Sequence, residues 1–241
     1  MASFKIYPLH VGDLNRQKSN LAFMQSPDVK IDFPLICWYL TDGVHHVMVD
    51  TGGTEPDNRW QPHTRTPEQH PEAALKRLGV KPENITTVVL THLHWDHAGN
   101  NDLFPNATFY VQKQELEEAE NPPVKIFAGS YDREEIFKTR YMTLDGDSQI
   151  MDGIRVITTP GHTLGSQSVV VDTEAGPHII AGDLIGLLEC YEHDPMFVNG
   201  IHIDLRDYFA SLERVKAIGG VVLPGHDYRV FEHDVYPAEK V

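Results

Sequence analysis

Residues 91–100 read THLHWDHAGN and place three histidines and an aspartate, His92, His94, His97 and Asp96, within six positions. Once water is withdrawn, crowded imidazoles and a carboxylate have lone pairs that need partners, and a metal cation supplies them. The preceding run, ITTVVLTH, is β-branched and apolar, which predicts a strand ending near His92. Strand alternation then sets His92 and His94 on one side, and the following turn brings Asp96 and His97 around from the start of a helix. One segment therefore offers donors to two metal sites.

Further donors follow the same local pattern of strand, small residue, ligand: His162 in TTPGHT, Asp183 in IIAGD and His226 in VVLPGH. A glycine just before the ligand lets backbone approach closely at a strand end. Seven donors at four strand ends suffice for two ions. His45, His46, His63, His70, His178 and His233 lack such company and are assigned structural or solvated roles.

Between these points, short apolar runs alternate with helical patterns, so the chain is α/β. FKIYPL, FPLICWYL, HHVMVD, ATFYVQ, GIRVITTPG and SQSVVVD are predicted strands. PEAALKRLGV and LRDYFASLERVKAIGG are predicted helices, the second stopping at Gly219 and Gly220. Residues 11–30 and 54–67 are polar and rich in turn formers, and are expected to be binding loops. Two clusters that each place His after a β-rich run give the chain a faint two-halved character.

A length of 241 residues with 41% hydrophobic content predicts one domain spanning 1–241. No segment approaches the roughly 18 apolar residues of a membrane span, and MASFKIYPLHVG lacks a basic stretch followed by an apolar run, so a cytoplasmic protein with no membrane partner is expected. A formal net charge of −15, from 20 Lys+Arg against 35 Asp+Glu, argues against nucleic acid and for a neutral or cationic small-molecule substrate. Two distant cysteines, Cys37 and Cys190, make neither a disulfide framework nor a thiolate zinc site. Any metal must use His and carboxylate.

HLHWDH, with GH at 162, GD at 183, GH at 226 and VDTGG at 49–53, resembles the metallo-β-lactamase superfamily. The resemblance implies an αββα sandwich with metals at one edge of two facing sheets. It implies that His92, His94 and His162 hold one divalent ion, that Asp96, His97 and His226 hold the other, and that Asp183 bridges them. Asp50 resembles the carboxylate that orients a ligating histidine. Two such ions share and acidify a water while polarising a carbonyl, which implies a hydrolase acting through metal-bound hydroxide. Zinc is the expected metal; imidazole and carboxylate sites also take iron, manganese or cobalt.

Within the superfamily, the layout FPLICWYL, VDTG, HLHWDHAGNN and PGHTLGSQS is similar to that of the N-acyl homoserine lactonases, which implies opening of a small cyclic ester. Asp96 is then placed to move the proton to the leaving alkoxide. One departure stands out. Those lactonases carry a tyrosine where this chain has Gly186, so Tyr191 or His193 is the nearest replacement donor to the substrate carbonyl. A glycine there alternatively widens the pocket, and Phe23 and Met24 are candidates to line it. A cyclic amide, linear ester or thioester is the alternative substrate, and a non-catalytic metal-binding module the alternative class. The oligomeric state is open, with a homodimer as one option.

Overall fold

The computed structural model describes residues 2–56 and 62–238. Its strands fall into two sheets, each built from one contiguous stretch of chain. The first sheet holds β1 (Lys5–Gln17), β2 (Lys30–Thr41), β3 (His46–Val49), β4 (Thr87–Val89), β5 (Thr108–Gln112) and β6 (Tyr141–Leu144), in that spatial order. The second holds β7 (Ser148–Met151), β8 (Ile154–Thr158), β9 (Gln167–Thr173), β10 (Gly176–Ile180) and β11 (Val221–Leu223), in the order β11-β10-β9-β8-β7.

β1, β2 and β3 are antiparallel, joined by the connection 18–29 and the short turn 42–45, whereas β3 to β6 run parallel. Parallel neighbours need crossovers. These carry α1 (Pro71–Arg77), α2 (Lys113–Glu120) and α3 (Arg133–Ile136) in the first half. In the second half, α4 (Leu188–Glu192) and α5 (Leu205–Ile218) lie in the crossover from β10 to the parallel β11.

The layering follows from strand alternation. In β2, Ile36, Trp38 and Leu40 join Val47, Val49 and Val89 in packing against Ile154, Val156, Val169, Val171 and Ile180 of the second sheet. The intervening Leu35, Cys37 and Tyr39 point the other way, into a cluster with Ala74 and Leu75 of α1. Val170 and Ile179 likewise turn outward onto Tyr208, Leu212 and Val215 of α5. Both sheets are therefore covered on both faces, which is why their strands read as continuous apolar runs. The result is the expected αββα sandwich.

Four elements depart from the sequence expectation. Residues 11–17 are not loop: a bulge between His10 and Gly12 lets β1 continue, pairing Asp13 with Pro34 and Gln17 with Lys30. Polar side chains there concealed the strand. α2, KQELEEAE, has no apolar period, yet it buries Glu115, Glu118 and Ala119. β6 and β7 are short, with no fully buried residue. Of the expected loop at 54–67, residues 57–61 lie outside the described residues.

Candidate metal centre

β4 ends at Val89, and Thr91, His92 and Leu93 follow as buried residues at one edge of the sandwich. There the turn carrying His94, Asp96 and His97 meets the residues that follow β8, β10 and β11, namely His162, Asp183 and His226. Three groups of donor atoms form, each with its ligand atoms within 4.8 Å of one another: His92, His94 and His162; His92, His97 and Asp183; Asp96, His97 and His226. Asp183 stands between the first and third. Its Oδ1 is 3.0 Å from Nε2 of both His97 and His226, and its Oδ2 is 3.3 Å from Nε2 of His162.

Four of the five imidazoles are oriented from behind. His162 Nδ1 donates to Ile201 O at 2.7 Å, His226 Nδ1 to Pro34 O at 2.9 Å, and His97 Nδ1 to Asp50 Oδ2 at 2.7 Å. Thr91 Oγ1 donates to Asp50 Oδ2 at 2.8 Å, which leaves its lone pair for His92 Nδ1 at 3.1 Å. With the protons held on Nδ1, the Nε2 lone pairs of these four rings face inward. His94 differs, meeting His162 Nε2 through its own Nδ1 at 3.0 Å.

The electrostatics match a cation site. Burial and the neighbouring imidazoles hold His92 and His94 well below the usual histidine range, and burial lowers His162. All three are neutral donors. Burial is the largest influence on His97 and His226 and would lower them, but the nearby carboxylates together outweigh it and raise both: Asp183, Asp50 and Asp96 around His97, and Asp183 and Asp96 around His226. Asp183 is held well below the carboxylate range, its burial outweighed by His226, His97 and His162. Even so, His92 Nε2, His97 Nε2 and Asp183 Oδ1 are buried without a hydrogen-bond partner. Such atoms are costly to leave unpaired. Divalent ions fit this donor set.

Residues 36–226 match the metallo-beta-lactamase superfamily. The chain belongs to that superfamily. Within it, the chain is 29% identical over 246 aligned positions to an N-acyl homoserine lactonase of a Bacillus species, covering 96% of this chain and 93% of that protein. It is 27% identical to the lactonase AttM of Azorhizobium caulinodans, covering 94% of each. A solved N-acyl homoserine lactone hydrolase, with the product N-hexanoyl-L-homoserine at its catalytic metal center, superposes with a TM-score of 0.84 over 99% of this chain and 99% of that one, at 26% identity. A Bacillus thuringiensis AiiA variant with N-decanoyl-L-homoserine bound gives the same score, coverage and identity. Within that superfamily, the chain is thus similar to proteins named as lactonases.

A cavity of about 120 Å³ opens over the donors, walled by Leu14, Leu21, Phe33, Trp95, Asn199 and Ile201. The expected substrate donors are not on it. Tyr191 packs beside the cluster under α5, and His193 is exposed, stacked on Phe197 with its Nδ1 donating to Pro195 O at 2.8 Å. α4 carries Tyr191 along the outer side of the second sheet, and His193 follows at its end, so neither reaches the donor cluster. Phe23 and Met24 do not line the cavity either: Phe23 stands edge-on to His202 and Met24 is 76% exposed. Nor does Gly186 widen it, because a Cβ there would meet Leu21 Cδ2 at 3.2 Å and Asn199 Nδ2 at 3.6 Å.

Four polar cavity residues escaped the sequence reading: Arg16, Asn20, Ser130 and Asn199. For Arg16 the available signal was alternation with Leu14, had β1 been extended past Gly12. Asn20, Ser130 and Asn199 sit on connections, and no local pattern marks them.

Proposed function

We propose that the chain is a dinuclear metal-dependent hydrolase that opens a small cyclic ester, with N-acyl homoserine lactones the first substrates to try. The observation that carries this reading is the placement of Asp183, one carboxylate oxygen toward each histidine group at the floor of the cavity. His92, His94 and His162 would hold one ion, Asp96, His97 and His226 the other, and Asp183 both. Bound there, two divalent ions lower the pKa of water and polarise a carbonyl oxygen. Zinc is our assignment, from the imidazole-rich donor set. Two buried, unpaired cysteines, Cys37 and Cys190, support a reducing, cytoplasmic setting.

The protein's own groups do the rest. Leu21, Phe33, Trp95 and Ile201 shield the reacting carbonyl from bulk water. Asp96, on the cavity wall with Oδ2 3.9 Å from His226 Nε2, takes the proton at a carboxylate oxygen and delivers it to the alkoxide as the ring C–O bond breaks. With Tyr191 and His193 turned away, the side-chain amide of Asn199 is the nearest neutral donor beside Gly186.

The test pairs elemental analysis with turnover. Protein purified without added metal should carry two ions per chain, and Asp183→Asn should lose both together along with activity on homoserine, γ- and δ-lactones. Two retained ions with full activity in that variant overturn the bridging role. Inert lactones beside hydrolysis of a cyclic amide, linear ester or thioester overturn the lactone and keep the hydrolase.

A further inference from the structure

The hydrolase reading leaves one cavity group without a task. Arg16 lies on β1, two residues beyond Leu14, and both side chains reach the cavity. Among the described residues no lysine and no second arginine lines it. Among the described residues the guanidinium is held by backbone carbonyls: Nη1 donates to Asn15 O at 3.0 Å and Nη2 to Pro62 O at 2.5 Å. Carbonyls fix its direction without neutralising its charge, and three of its five N–H donors are left for a ligand.

Among the described residues Arg16 has no carboxylate within ion-pair distance, as is also true of Arg77, Arg133, Arg140 and Arg206, whereas Arg65, Arg155, Arg214 and Arg229 pair with Glu55, Asp172, Asp147 and Glu192. Its nearest acidic influence is Asp96, close enough to oppose the lowering of the Arg16 pKa by burial. Asp96 is committed elsewhere, however, facing His97 and His226. The cation is thus half withdrawn from water, aimed, and without an ion-pair partner among the described residues, in a chain of net charge −15.

Size points the same way. A cavity of about 120 Å³ is close to the roughly 150 Å³ that holds one benzene, so it seats one small ring over the donors, and it opens to solvent on one side. A long neutral acyl chain would have to leave it. We propose that Arg16 is a specificity-determining residue that pairs, fork to carboxylate, with an acid group on the substrate, so that the preferred substrate is an anionic lactone with a short carboxylate-bearing arm. This rests on the reading of the site as a lactone hydrolase. Arginine suits the task because its planar donors match both carboxylate oxygens at once.

The experiment uses γ-lactones bearing a carboxylate on arms of one to four carbons, each compared with its primary carboxamide, on the metal-loaded protein. For at least one arm length, kcat/KM should favour the acid tenfold or more, and Arg16→Gln should cut that acid-to-amide ratio at least tenfold, with Arg16→Lys in between. A ratio near one in the parent protein, or a ratio unchanged in Arg16→Gln while both rates fall together, overturns the proposal and makes Arg16 a clamp between β1 and Pro62. A second readout does not depend on turnover. The ring-opened hydroxy-diacids should raise the melting temperature of the parent more than their monoamides do, and Arg16→Gln and Arg16→Lys should shrink the difference. Should no lactone of either kind be hydrolysed, the lactonase reading fails, and the melting shifts alone decide whether Arg16 binds a carboxylate.

Discussion

Asp50 carries more of the site than its distance from the cavity implies. Its backbone sits at φ 61, a conformation that non-glycine residues seldom hold without compensation. The compensation is visible: its carboxylate accepts from Thr91 N at 2.7 Å, Thr91 Oγ1 at 2.8 Å and His97 Nδ1 at 2.7 Å. Asp50→Asn keeps the shape but replaces one acceptor oxygen by a donor. Affinity for the ion on the His97 side should fall about 10–100-fold, measured by equilibrium dialysis against a chelator of known strength. The donor cluster was legible from sequence because most of its chemistry is local: four of seven donors share one turn, and each of the others follows a glycine at a strand end. The cavity wall was not. Leu21, Asn199 and Arg16 meet only once distant connections pack, and Tyr191 and His193, near Gly186 in sequence, are carried elsewhere by α4.

At the scale of elements, α5 couples packing to the site. Asp204 caps it by accepting from Arg206 N and Asp207 N, and Gly219 ends it at φ 72. Its buried Tyr208 hydroxyl donates toward Asp183 O at 2.9 Å and Leu184 O at 2.5 Å and accepts from Asn199 N at 3.1 Å. Tyr208→Phe should therefore cost about 1–3 kcal/mol in denaturant unfolding, the penalty for buried polar groups left unpaired. Because those groups belong to the Asp183 turn and to Asn199, the variant should also lose metal faster to a chelator; unchanged release would confine Tyr208 to packing. This helix was readable because apolar period, cap and terminal glycines agree. The outer half of β1 and the whole of α2 were not, since their polar residues are ordered by strand partners and by burial under neighbouring segments.

Across the whole molecule, α2 introduces a pH dependence. Glu115 accepts from Leu93 N at 2.9 Å and Thr163 Oγ1 at 2.6 Å, yet burial and the adjacent Glu118 push its pKa from 4.5 up to about 8. A folded-state carboxyl raised in this way holds its proton where the unfolded chain has lost it. Its contribution to stability is full below about pH 4.5 and declines as pH rises toward 8, with a slope of at most about 1.4 kcal/mol per pH unit. Urea midpoints of the metal-loaded protein should drop across that window, and Glu115→Gln should flatten the decline. An equal slope in both proteins would assign the dependence to other groups.

The two sheets, each drawn from a continuous stretch of chain, have a consequence for how the protein comes to be finished. His92, His94, Asp96 and His97 belong to the stretch before Gly146, and His162, Asp183 and His226 to the stretch after it, so neither half owns a complete set of donors. During synthesis the first half emerges with four donors and nothing to close the coordination shell. Firm retention of metal must wait for the second half to dock. Occupancy then acts as a certificate of completed assembly, issued only when both halves have folded and met. Fragments 2–145 and 147–241 made together should recover a metal-loaded whole, whereas adding a chelator before mixing should leave them largely apart.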